Sequence, residues 1–196
     1  MTSPPPLRAD ARRNRERLMA AAESVLNERG VTASLDDIAK AAGVGNATLY
    51  RHFPSREQLI EAVYDQRIRA LCERATALAA TPEPGQALLT WLHKLVVHIT
   101  TSRVLAEAFD AEHKSSADAA DSEDSEDAEP PQIAAWHRAI FAAAAPLLAA
   151  AQDAGAVRRD LDIVELLSLT TAVARAGGPA RADRFLGVLL DGVVPR

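Results

Sequence analysis

The stretch Ser34–Phe53, SLDDIAKAAGVGNATLYRHF, reads as two short helices hinged at a glycine. Ser34 stands as a hydroxyl N-cap with Asp37 three residues on, an S-x-x-[DE] capping box, so the first helix is expected from Leu35 to about Ala41. Leu35, Ile38, Ala39 and Ala42 recur at helical spacing and form an apolar face, while Asp36, Asp37 and Lys40 face away. Gly43 falls where the chain must turn sharply, with the positive φ that glycine adopts without a Cβ penalty. Val44 then tucks into the angle. A second helix, about Gly45 to His52, buries Leu49 and Phe53 and leaves Asn46, Ala47, Thr48, Tyr50, Arg51 and His52 outside.

Those outward residue types can hydrogen-bond phosphates or base edges, so the unit is expected to lay its second helix in a DNA major groove. Packing alone would give a plain αα-corner a similar spacing, and the stretch by itself leaves that alternative open. Ser34, with the backbone N–H groups at its helix start, suits a phosphate, as do Tyr50 and His52. Asn46, Ala47, Thr48 and Arg51 lie where base edges come within reach. Arg51 suits guanine, although it can instead pair with a phosphate or with Glu57. Arg12, Arg13 and Arg56 are candidates for flanking phosphates.

The net charge of −5 argues against a nucleic-acid partner until its distribution is considered. Residues 1–56 carry nine Lys or Arg against six acids, +3, which leaves −8 for the remainder. Local positive charge is what a phosphate backbone requires, and an acidic body elsewhere does not prevent it.

From about Arg12 to Tyr64 the chain resembles the TetR/AcrR family of transcriptional regulators. The likeness is carried by NERGV, then T-x-S-L-D-D-I-A-K-A-A-G-V, then GNATLYRHF, then PSREQL. It covers about a third of the chain, and no motif of comparable specificity follows. The resemblance implies that the positions of Thr48, Tyr50 and His52 contact DNA. It also implies a four-helix dimer interface formed by the last two helices of each chain, and a small molecule bound inside the helical body that alters the spacing of the two heads.

The expected architecture is all-α, a three-helix head joined to a larger helical body. Residues 1–9, with Pro4, Pro5 and Pro6 in a row, are expected to form a disordered arm. Residues 10–55 form the head, whose first helix runs from near Asp10 to Arg29, is stopped by Gly30 and buries Leu18, Ala22, Val25 and Leu26. Residues 56–196 form the body. Its first helix, about Arg56 to Ala79, starts behind a Ser55 cap and is long enough to act as a lever. After a turn over Thr81–Gly85, helices are expected over about Gln86 to Thr101 and Arg103 to His113. Within 114–130 lies DAADSEDSEDAE, an acidic run expected to be a mobile loop, with phosphorylation at Ser122 and Ser125 or mimicry of DNA as sharper alternatives. A helix over about Gln132 to Asp153 is expected to kink or split at Pro146. The last two helices, about Asp160 to Arg175 and Ala180 to Gly192, are apolar on more than one face. They therefore suggest dimerisation, with Ile163, Leu166, Leu167, Thr170, Phe185, Val188 and Leu189 as interface candidates. A dimer presents two recognition helices to the half-sites of a palindromic operator in double-stranded DNA.

Trp91, His98, Phe109, Trp136 and Phe141 stand out in a body filled with Ala and Leu, because aromatic residues make up only 4% of the chain. They could wall a site for an amphipathic organic effector, or they could be ordinary packing. The five histidines form no H-E-x-x-H and no cluster with the single cysteine, Cys72, and there is no phosphate loop, dinucleotide fingerprint or nucleophile elbow. No catalytic residue, metal or cofactor is therefore expected. No run approaches the roughly 18 apolar residues of a membrane span, and MTSPPPLRAD lacks a signal-peptide core, so a cytoplasmic protein without membrane contact is expected. A binding or protein-interaction module that has lost operator recognition, docking through its acidic run, is the competing reading.

Overall fold

The computed structural model describes residues 6–29, 32–117, 131–176 and 178–193. Among these the chain forms eight α-helices and no strand: α1 (Pro6–Arg29), α2 (Leu35–Ala42), α3 (Asn46–His52), α4 (Arg56–Ala79), α5 (Pro84–Ala117), α6 (Pro131–Asp153), α7 (Ile163–Arg175) and α8 (Gly178–Val193). The fold is all-α, as the periodicity implied. Two compact units result, one comprising residues up to Asp65 together with Ser102–Glu123, the other Gln66–Thr101 together with residues from Asp124 onward. The division falls inside α4, not at its start, and again inside α5 after Thr101. Leu59, Ile60 and Val63 of its first turns are buried in the head's core with Leu18, Ala22, Leu26, Ile38, Leu49 and Phe53.

Several boundaries depart from expectation, each for a local reason. α1 begins at Pro6, so residues 6–9 are helical; proline fits the first turn of a helix, where its missing N–H is no loss. Pro4, Pro5 and Gly30 lie outside the described residues. The two helices expected on either side of Thr101 are one helix, α5. No proline or glycine interrupts it there. The Thr100 and Thr101 hydroxyls donate back to the carbonyls of Val96, Val97 and His98 at 2.8–3.2 Å, an arrangement that leaves the helix ladder standing. α6 runs unsplit through Pro146. Residues 114–117, expected to belong to a mobile loop, are instead the last residues of α5, and the acidic run itself lies outside the described residues, which resume at Pro131.

The body has its own core. Ile68, Leu71, Ala75 and Leu78 of α4 are buried in it, with Leu88, Trp91, Leu92 and Leu95 of α5 and Leu166, Leu167 and Thr170 of α7. Trp91 is fully buried, and its indole N–H donates to Leu71 O at 3.0 Å, so that buried donor is satisfied. By length and composition α6 could cross a membrane, with a mean hydropathy of 1.4 over 18 residues. Its alanines produce that value, and Trp136, Ile140, Ala144, Leu147, Leu148 and Ala151 form a buried stripe along it, the pattern of a core helix. The start of α5 comes so close to the α6–α7 loop that a Cβ on Gly85 would meet Ala156 Cβ at 2.7 Å. α7 is started by Asp162, which accepts from Glu165 N at 2.8 Å while the Glu165 carboxylate accepts from Asp162 N at 3.0 Å.

His98 is the buried titratable group of the body, 8% exposed. Burial first, then the positive charge of Arg67, lowers its pKa from 6.5 to about 4. Between those values the unfolded chain binds a proton that the folded chain refuses, so the contribution is intact above pH 6.5 and is lost as pH falls toward 4. Urea unfolding of the wild type should therefore weaken more steeply than that of His98→Phe over this window, by up to about 1.4 kcal/mol per pH unit. Equal slopes for the two proteins would contradict the assignment.

Candidate nucleic-acid interface

The head's geometry is set by two caps. Ser34 Oγ accepts from Asp37 N at 3.1 Å and donates to Asp37 Oδ2 at 2.7 Å, while Ser34 N donates to the same carboxylate at 3.4 Å. These hydrogen bonds, and then Arg29 with its Nη1 3.1 Å from Asp37 Oδ1, hold the Asp37 carboxyl below its usual pKa. The salt bridge also ties the end of α1 to the start of α2. At the other end of α2, Gly43 has φ +64°, with Gly43 N donating to Lys40 O at 3.1 Å and Val44 N to Ala39 O at 3.0 Å. That pair of bonds is a Schellman closure, which turns the chain and leaves Val44 packed against the head's core.

α1 contacts both ends of the turn-and-helix unit. Arg17 Nη2 donates to Gly43 O at 3.3 Å, and the Arg15 guanidinium lies 5.2 Å from the centre of the Phe53 ring. The i to i+26 and i to i+38 separations give no local signal that could have assigned them.

α3 starts at Asn46 behind Gly45, which supplies no side-chain cap, and ends at Phe53. Leu49 and Phe53 are buried, while Asn46, Ala47, Tyr50 and Arg51 are exposed, Tyr50 by 48%. Thr48 is only half-exposed. His52 departs from the outward placement expected for it: it is half-buried, and its Nε2 is a buried atom with no hydrogen-bond partner among the described residues. Asn46 is also engaged, its Nδ2 donating to Asp36 Oδ1 at 2.8 Å. Arg12 sits 3.6 Å from Glu16, and Arg13 pairs with Asp10. Both pairs are exposed, so they hold the arginines weakly and leave them able to exchange for phosphate. Arg56 is half-buried at the start of α4, where Ser55 Oγ accepts from Gln58 N at 3.2 Å.

In the body, Trp91, His98 and Trp136 are buried and Phe141 is partly buried. Phe109 lies on α5, but its side chain is outside the described residues. Of the residues expected at a dimer surface, Leu166, Leu167 and Thr170 are instead turned inward, Thr170 donating to Leu166 O at 2.7 Å. The outward apolar residues are Val164, Leu169, Phe185 and Val188, the last 67% exposed, with Ile163 and Leu189 partly exposed. No group of three or more His, Cys, Asp or Glu able to hold a metal occurs among the described residues.

Residues 18–63 match the model of bacterial regulatory proteins of the tetR family, and residues 83–195 match the C-terminal domain of SbtR-like transcriptional regulators. The structure is similar to that of the TetR transcriptional regulator SCO0520 from Streptomyces coelicolor, at 32% identity and a TM-score of 0.74 over 92% of this chain and 98% of that one. A TetR transcription regulatory protein from Mycobacterium vanbaalenii is similar at 32% identity and a TM-score of 0.73, over 97% of this chain and all of that one. An uncharacterized HTH-type transcriptional regulator of Mycobacterium tuberculosis, MT1294, is 34% identical over 96 residues. That alignment spans 48% of each chain, so about half the length of this curated relative is covered.

Substituting Gly43 should strain the turn. Gly43→Ala would hold a Cβ at φ +64° and place it 2.6 Å from Arg17 Nη2. The guanidinium can swing away at the loss of its bond, but the left-handed backbone cannot relax, for a cost of about 1–2 kcal/mol. Thermal unfolding of Gly43→Ala beside Gly45→Ala, whose Cβ would meet nothing within 4 Å, tests this. Equal midpoints would refute it.

Proposed function

Because the chain belongs to the TetR family of bacterial transcriptional regulators, we propose that it is a homodimeric, sequence-specific repressor released from a palindromic operator by a small-molecule effector. The observation that carries this reading is α3 itself. A helix whose Leu49 and Phe53 are spent on the core offers Asn46, Ala47, Tyr50 and Arg51 together on its outer surface. Arg51 would read guanine through O6 and N7, Tyr50 and Ser34 would bond phosphates, and Arg12, Arg13 and Arg56 would add flanking charge. Thr48, at the rim of the core, would approach base edges through its exposed part. A regulator of this kind would act in the cytoplasm, and the reading requires no catalytic step.

A single head touches few base pairs, so useful discrimination requires two. Val164, Leu169, Phe185 and Val188, exposed on α7 and α8, support pairing through those helices. In the body, the buried Trp91, His98 and Trp136 and the partly buried Phe141 would wall the effector's site, with His98 as a polar handle. Effector binding would favour a head spacing that misfits the two half-sites, with α4 transmitting the change, and its leverage is its differential affinity for the two states.

Two measurements follow. In a salt-titrated assay on an operator selected from randomised duplexes, Arg51→Ala should lose about 1–3 kcal/mol and relax preference at one position per half-site, whereas Tyr50→Phe should weaken all sequences alike. Absence of any specific binding at low salt would overturn the regulator. Sedimentation should find the wild type dimeric and Val188→Glu shifted toward monomer; a dimer undisturbed by that charge would move the interface elsewhere.

A further inference from the structure

Asp36 lies in the first turn of α2 and Asn46 opens α3, yet Asn46 Nδ2 meets Asp36 Oδ1 at 2.8 Å across the turn. The neighbouring acids have separate partners: Asp37 is occupied by Ser34 and Arg29 in the cap, while Asp36 reaches to the second helix. An ionised carboxylate only accepts, so the edge of the amide turned to Asp36 must be the NH2 group, and the carbonyl Oδ1 is left on the other side. The two edges of an asparagine amide are almost equal in shape and opposite in hydrogen-bonding sense. Which one faces a base decides which bases it can bind.

We infer that Asp36 is a specificity-setting positioning residue: by holding the NH2 of Asn46 it presents the amide oxygen outward and makes the head select a base that offers an amino donor. This rests on the reading of α3 as the recognition helix. In the major groove adenine offers N6–H and cytosine N4–H, while guanine and thymine offer acceptors. Adenine fits best, because the second amide hydrogen can reach its N7. Without Asp36 the amide can rotate and give its NH2 to guanine or thymine as well, so the preference flattens. The carboxylate also repels phosphates, so its removal should raise affinity for every sequence, an effect separable from the change in preference.

The test measures binding of the full-length protein to the selected operator and to all of its single-base variants. Asn46→Ala identifies the position that Asn46 reads, where the wild type should favour A or C over G or T on one strand. Asp36→Ala should bind with that preference reduced about tenfold and the others kept. Asp36→Asn, which has lost the charge but can still accept from Asn46, should retain the preference. Unchanged preference in Asp36→Ala overturns the inference, as does a loss spread evenly over all positions. Equal flattening in Asp36→Asn assigns the effect to charge and overturns it too. A wild type that selects no operator overturns the recognition-helix reading itself, an outcome visible before any variant is compared.

Discussion

Helices of eight and seven residues, the lengths of α2 and α3, do not persist alone in water. The head therefore depends on one shared burial, in which Leu18 and Leu26 of α1, Ile38 of α2, Leu49 and Phe53 around α3, and Leu59 and Ile60 of α4 close on each other. Each such side chain contributes about 1.5–3 kcal/mol when fully buried, set against the ordering of the chain that carries it. α3 contributes Leu49 and Phe53 to that core, one in its middle and one at its end. Its direction is consequently decided by what it rests on, α2 through the turn at Gly43 and the shared core to which α1 and α4 contribute.

The head's positive charge is divided by the same geometry. Arg15 is stacked on Phe53, Arg17 closes the turn at Gly43 and Arg29 is paired with Asp37, so three of the arginines help to hold the shape. Arg12, Arg13 and Arg51 are exposed. A stacked guanidinium still has N–H groups at its edge, so a structural task does not remove Arg15 from the field that phosphates feel. The net +3 of residues 1–56 is thus a fair measure of long-range attraction and a poor guide to which residues touch DNA.

Much of the head was legible in the sequence, because its signals are local. The Ser34–Asp37 cap, the turn at Gly43 and the spacing of Ile38, Leu49 and Phe53 all act within a few residues, and the structure reproduces them. What was missed acts over distance or depends on degree. Thr100 and Thr101 looked like a break, but their hydroxyls fold back on the helix. α7 is apolar on most sides, and period alone could not tell that Leu166, Leu167 and Thr170 point inward while Val164 and Leu169 point outward. The unit boundary inside α4 is invisible in a helix whose apolar positions continue from Leu59 through Leu78 without interruption.

On the proposed reading, shape and base recognition fall to different atoms of one short helix. Substitution of Leu49 or Phe53 removes part of the head's core, whereas Ala47, Tyr50 and Arg51 are exposed and contribute little to it, so on the proposed reading they would vary with the operator. Thr48, His52 and Asn46 fall between these groups. Thr48 and His52 are partly enclosed by the core, and Asn46 is tethered to an acid on the preceding helix. Substitution at those three positions alters local packing or tethering and, on the proposed reading, the contact with DNA as well. On the proposed reading, a change of operator is therefore least costly to the fold when it passes through Ala47, Tyr50 and Arg51, and most constrained at Asn46, Thr48 and His52.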